Sequence, residues 1–303
     1  MQIYLPIAEM AVPAEMILLL GSFVGFLSGV FGVGGGFLMT PFLIFMGLPP
    51  AVAVGTQANQ LVAASLSGLL GHMKRGNVDF KMGGIMLSGS ITGSIIGVLI
   101  FRMLQHFGQI DLVIPILYVL LLGGMGLLML TESVSSLLRK KEADPSAPRL
   151  RDHPFFQKLP YKIRFPRSRL YISALIPAGI GFAGGVLVSI LGIGGGFLLV
   201  PAMIYILGMP ILLVAGTSLF QIMITSIVAA IMHAVANHTV DLTLAFMLII
   251  GGVFGAQIGV RIARRIKGVY ARIILAIMLL LVSIQLSSQL FIRPDELYST
   301  VIR

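Results

Sequence analysis

Gly32-Val33-Gly34-Gly35-Gly36-Phe37-Leu38-Met39-Thr40-Pro41 interrupts an apolar stretch, and the same break returns 160 residues later as Gly192-Ile193-Gly194-Gly195-Gly196-Phe197-Leu198-Leu199-Val200-Pro201. Three successive glycines disfavour a continuous helix and give the backbone access to positive φ and to close approach. Backbone opened at membrane depth must line a cavity or be buried in protein, because hydrocarbon offers its N–H and C=O groups no partner. Two such breaks at matching positions in two halves point to a transport site where the halves meet.

Composition fixes the solvent. The 303 residues are 57% hydrophobic and 11% charged, against roughly 25% charged in a soluble domain. A deficit this large identifies an integral membrane protein. Apolar segments run over 16–31, 37–48, 51–72, 83–103 and 111–130, then over 171–191, 197–208, 211–236, 242–263 and 270–291. Most approach the roughly 20 residues a spanning helix needs; the two that follow the breaks are too short to cross alone.

The net charge of +10 is concentrated in mid-chain and around Arg261 to Arg272, beside apolar segments. That placement suits a cytoplasmic membrane face and not a nucleic-acid groove, for which no aromatic-interleaved polar platform exists. With no cysteine, thiolate metal sites and thiol relays are excluded. No HExxH or carboxylate cluster supports a metal site or a hydrolase, so no cofactor is expected and the chain is not read as an enzyme. Met1 to Pro13 lacks a basic n-region and does not read as a signal peptide.

The duplication extends beyond the breaks. Gly21 and Gly25 match Gly181 and Gly185; Gly55-Thr56-Gln57 matches Gly216-Thr217-Ser218; Gln60 matches Gln221 and His72 matches His233. Gly89, Gly93 and Gly97 match Gly251, Gly255 and Gly259. The predicted organisation is a first transmembrane repeat over 1–131, a basic loop over 132–170 and a second repeat over 171–303. Prolines at 145, 148, 154, 160 and 166 make the middle part a loop or short surface element.

Loop charge orients the repeats. If each broken segment returns to its starting side, Lys74, Arg75, the central loop and the Arg261–Lys267 cluster share one face, with Arg102 the main exception. The positive-inside rule favours this arrangement. It predicts an all-α polytopic membrane protein of two inverted repeats with glycine-broken re-entrant or discontinuous helices. The central loop is then cytoplasmic and both termini periplasmic.

The candidate site follows from the breaks. Phe37 and Phe197 begin helices whose first-turn N–H groups and macrodipole favour an anion. Gly34, Gly35, Gly36, Gly194, Gly195 and Gly196 would let that backbone approach a substrate. Thr56, Gln57, Gln60, Thr217, Ser218 and Gln221 form matching polar interruptions able to donate hydrogen bonds to anion oxygens; interhelical polar packing is the competing role. No Lys or Arg lies within the apolar interiors of 16–72 or 171–236, so the expected chamber is electropositive without formal charge. The Gly-x3-Gly ladders primarily predict close helix packing, with Gln257 a weaker cavity candidate. His72 and His233 stand at helix ends near the polar boundary, where solvation or hydrogen bonding is the expected role and proton coupling the alternative.

Gly29 to Pro41 and Ser189 to Pro201, with Gly55-Thr56 and Gly216-Thr217, resemble the paired signatures of the TauE/SafE sulfite exporter family. The resemblance implies a multi-spanning inner-membrane carrier for sulfite, sulfonates or related organic anions. The expected function is therefore secondary transport of a small anion, with export favoured; import would add a coupling proton or cation. An anion channel and a membrane scaffold or sensor are the alternatives.

Overall fold

The computed structural model describes residues 2–31, 36–139, 160–263 and 268–291. A hairpin of β1 (Gln2–Leu5) and β2 (Met10–Pro13) leads into α1 (Ala14–Phe31), α2 (Gly36–Phe45), α3 (Pro50–Lys74), α4 (Phe80–His106) and α5 (Ile110–Arg139). The order then repeats: β3 (Lys162–Phe165) and β4 (Leu170–Ser173), α6 (Leu175–Leu191), α7 (Gly196–Tyr205), α8 (Ile211–Met232), α9 (Leu242–Ala263) and α10 (Gly268–Phe291). A single π turn, His233–Asn237, extends α8. The chain is an all-α polytopic membrane protein: among the described residues α4, α5, α9, α10 and α8 with its π turn are long and apolar enough to span.

Local chemistry sets the boundaries. Pro49 and Pro210 precede α3 and α8 with extended backbone, because proline lacks an N–H for a helix interior but fits its start. Helices α2 and α7 have ten residues each, about 15 Å, or half a hydrocarbon core of about 30 Å. Pro41 and Pro201 lie inside them, so the carbonyls of Phe37 and Phe197, four residues earlier, receive no intrahelical bond.

The repeats interlock. Helix α1 packs along α9 and α6 along α4, so the first helix of each repeat rests on the fourth of the other. The glycine ladders make this contact backbone to backbone. A Cβ on Gly89 would lie 1.9 Å from Ala178 O, and one on Gly93 2.2 Å from Phe182 O. In the other pair, Gly255 would meet Ser22 O at 1.9 Å and Gly259 would meet Phe26 O at 2.2 Å. Without a hydrophobic drive between helices in lipid, such close approach is what joins them.

Helices α3 and α8 run antiparallel. Gly55, near the start of α3, abuts Thr239 beyond the end of α8, while Gly216, near the start of α8, abuts Asn77 beyond the end of α3. Gly123 and Gly126 of α5 likewise face Ser283 and Leu280 of α10. The repeats are therefore inverted.

The central segment departs from the expected loop. Helix α5 continues through Glu132 to Arg139, and the β3–β4 hairpin begins at Lys162; residues 140–159 lie outside the described residues. The hairpin is a repeated element, since β3 and β4 stand 160 residues after β1 and β2 in identical register. Glu9 and Arg169 both take positive φ, 52° and 53°.

Each hairpin is held by an aspartate of the opposite repeat. Asp241 caps α9 by accepting from Leu244 N (3.1 Å) and also accepts from Ile7 N (3.1 Å). Asp79 caps α4 through Met82 N (3.1 Å) and accepts from both Ser168 N (3.2 Å) and Ser168 Oγ (2.5 Å). Lys81 Nζ to Arg164 O and Arg167 Nη2 to Gly76 O fasten the second hairpin further. Losing such a cap costs about 1 kcal/mol, and an unsatisfied buried donor about 1–3 kcal/mol more. Asp79→Ala is thus expected to lower the detergent-solubilised melting temperature by several degrees, and more than Asp241→Ala does. Equal melting curves for the two variants would contradict the tighter second anchorage.

Candidate functional site

The first turns of the helices that follow the two breaks meet. The rings of Phe37 and Phe197 stack with centroids 4.9 Å apart and planes at 17°. A Cβ on Gly36 would lie 3.0 Å from Ile193 O and 3.1 Å from Gly192 O. Gly192, Gly194 and Gly195 all take positive φ (68°, 74° and 63°), the conformation that only glycine adopts without strain. Gly195 is the N-cap of α7 and no side chain caps that helix. Gly196 and Phe197 are buried there with Gly194 and Gly195. Gly34 and Gly35 lie outside the described residues.

Beside Gly36 is a cavity of about 20 Å³, lined in part by Gly25, Ser28, Gln57, Gln60 and Gly252. A volume of this size holds about one water. Gln57 is fully buried, and neither its amide oxygen nor its nitrogen has a hydrogen-bond partner in the protein. Gln60 also reaches the cavity with its Oε1 unpartnered. The N-terminus of α2 thus lies next to uncommitted neutral donors and acceptors. The described lining contains no charged group.

The remaining predicted residues separate into different roles. Thr56 Oγ1 accepts from Asp241 N, and Thr217 Oγ1 accepts from Asp79 N, each at 3.0 Å. Both threonines therefore join α3 and α8 to the aspartate anchors of the opposite repeat, which is the packing role. Ser218, the counterpart of Gln57, bonds back to Ala215 O (3.0 Å) within its own helix. Gln221 donates to Ser90 Oγ, leaving its Oε1 unpartnered, and lies away from the cavity that Gln60 lines. Gln257 is exposed.

The last carbonyls of α6, just before the second break, form a polar cluster that the motif reading does not include. Tyr118 Oη donates to Leu191 O, and Thr40 Oγ1 approaches the same oxygen at 3.5 Å. His233 Nε2 lies 2.8 Å from Ser189 O, and Asn237 Nδ2 lies 3.0 Å from His233 Nδ1. Ser189 Oγ and Ser94 Oγ are 2.7 Å apart. His233 is fully buried while its counterpart His72 is only partly so, which corrects the placement of His233 at the polar boundary. Register between the repeats carries one signal of this asymmetry, since Ser189 stands where the first repeat has Gly29.

Comparison with known proteins places this architecture. The model of the family described as Sulfite exporter TauE/SafE matches residues 17–286. A probable membrane transporter protein of Xylella fastidiosa (strain 9a5c) is 31% identical over 240 residues, covering 77% of this chain and 78% of the relative. Probable membrane transporter protein YunE of Bacillus subtilis (strain 168) is 28% identical over 234 residues, 74% of this chain and 79% of its own. No solved structure matches significantly. With its family model spanning nearly all of both repeats, the chain belongs to the sulfite exporter TauE/SafE family and is a membrane transporter.

Proposed function

We propose that the protein is a secondary carrier of small anions, sulfite, organosulfonates or related organic anions, with the substrate held where the two breaks converge. The observation that carries this reading is the buried amide of Gln57, which has no partner and lines a cavity beside the N-terminus of α2. Helix N-termini favour negative charge, and amide donors coordinate oxygen without the cost of a fixed buried cation. Gly34, Gly35, Gly36, Phe37, Gly194, Gly195, Gly196 and Phe197 supply the backbone, with Gln57 and Gln60 as the side-chain contacts. A cavity of about 20 Å³ is smaller than any of these anions, so a carrier that opens alternately to either face suits it better than a standing pore.

In the proposed orientation in the inner membrane, the face bearing Lys74, Arg75, the β3–β4 hairpin and Arg261 is cytoplasmic and the termini are periplasmic. An anion leaving a negative interior gains about 2.3 kcal/mol per charge per 100 mV, so export needs no coupling ion. Reconstituted protein should move radiolabelled sulfite, sulfoacetate or taurine faster than protein-free vesicles do, with sulfate and small carboxylates setting the selectivity. No protein-dependent flux of any of these would defeat the proposal.

A further inference from the structure

We propose that His233 is the carrier's proton-binding site and that a proton travels with the anion. The inference rests on the transport reading and alters its driving force. A backbone carbonyl can only accept, so the 2.8 Å contact with Ser189 O requires a proton on Nε2. Nδ1 then holds the lone pair that receives Asn237 Nδ2. This is the neutral ring.

The same pocket also fits the charged ring. Asn237 Oδ1 is buried and has no partner. Rotating that amide by half a turn presents the oxygen to a proton on Nδ1, while Nε2 keeps Ser189 O. Protonation therefore exchanges one hydrogen bond at Nδ1 for another. The π turn that carries both residues loosens the ladder locally, a distortion frequent at functional sites.

Position supplies the coupling. Ser189 is in the last turn of α6, whose C-terminal end favours a cation, while α7, across the break from Gly192 to Gly195, opens with an end that favours an anion. One broken helix thus presents complementary ends to two ions, so binding either favours binding the other. Half-helix ends serve in this way in other carriers. The first repeat lacks the partner amide: at the offset that relates His72 to His233, Asn237 is matched by Gly76.

Competing titratable groups are few. On α4, Arg102 and His106 are exposed, as is His238 beyond the π turn. Tyr118 of α5 is committed to Leu191 O. Asp241 is committed to Ile7 N and Leu244 N, and Asp79 to Met82 N and Ser168. Helices α6 and α8 carry no Asp, Glu, Lys or Arg. With one proton per monovalent anion the loaded carrier moves no net charge, so direction follows the combined proton and anion gradients.

The test uses full-length protein in vesicles with the membrane potential clamped at zero and radiolabelled sulfite and isethionate as probes. Isethionate is included because its charge does not change near neutral pH. A proton gradient of about one unit, acid on the isethionate side, should drive accumulation of about tenfold over equilibrium, with lumenal acidification in step. His233→Gln should carry the anion only to equilibrium. Asn237→Leu, which removes the acceptor for the second proton, should do the same. Flux without accumulation in the unaltered protein, or accumulation retained in either variant, overturns the proton site while leaving transport intact. No flux of either probe overturns the transport reading and this inference with it.

Discussion

Gly255→Val is expected to abolish accumulation of folded protein in the membrane. A Cβ at this position would lie 1.9 Å from Ser22 O and 2.7 Å from Phe26 N, both backbone atoms that move only if α1 leaves α9. Valine adds two further methyl groups to that clash. Overpacking in a core that can adjust costs about 1–3 kcal/mol, and here no flexible side chain is available to yield. The α1–α9 contact also anchors one repeat on the other, so its loss exceeds a local defect. Against a total stability of about 5–15 kcal/mol, the substitution should remove the monodisperse peak in detergent chromatography. Gly84→Val is the control, because Gly84 is exposed on α4 and its Cβ would meet nothing within 4 Å. A normal peak for Gly255→Val would mean that the ladder does not hold the repeats together.

The ladder was legible in the sequence because small residues at four-residue spacing have one dominant use in lipid-embedded helices. The breaks were legible for a similar reason: three glycines within apolar sequence leave few backbone solutions, and repetition at a fixed offset marks them as paired. Inversion could be inferred from charge, since loop arginines and lysines record sidedness, and the antiparallel α3 and α8 carry it in the fold.

The hairpins were not legible. Their strands have four residues each, and their turns place Glu9 and Arg169, not glycine or asparagine, at positive φ, so no turn signature marks them. The true partners of Thr56 and Thr217 lie 185 and 138 residues away. A threonine beside a glutamine reads equally as ligand or as packing until that partner is in view. His72 and His233 match in register, yet burial separates them, and among the described residues the π turn belongs to the second repeat alone. Matching letters report common descent of the halves; different surroundings decide what each histidine does.

Gln57→Leu should separate substrate binding from folding more cleanly than any other change in the chamber. The side chain is fully buried and both of its polar atoms lack protein partners. An unsatisfied buried amide costs about 1–3 kcal/mol, and leucine is of similar size. The variant should therefore fold at least as well, with a melting temperature equal to or above that of the unaltered protein. Transport should behave in the opposite way. Hydrogen bonds to a charged group contribute about 1.5–3 kcal/mol each, so losing the amide should weaken anion affinity by about ten- to a hundredfold. Proteoliposome flux measured across substrate concentration reads this as a raised half-saturation point, and excess anion should protect the unaltered protein from heat but not the variant. A structural glutamine would give the reverse pattern, lower stability with affinity unchanged for the molecules that still fold. That result would remove Gln57 from the site and leave the converging helix ends without their side-chain partner.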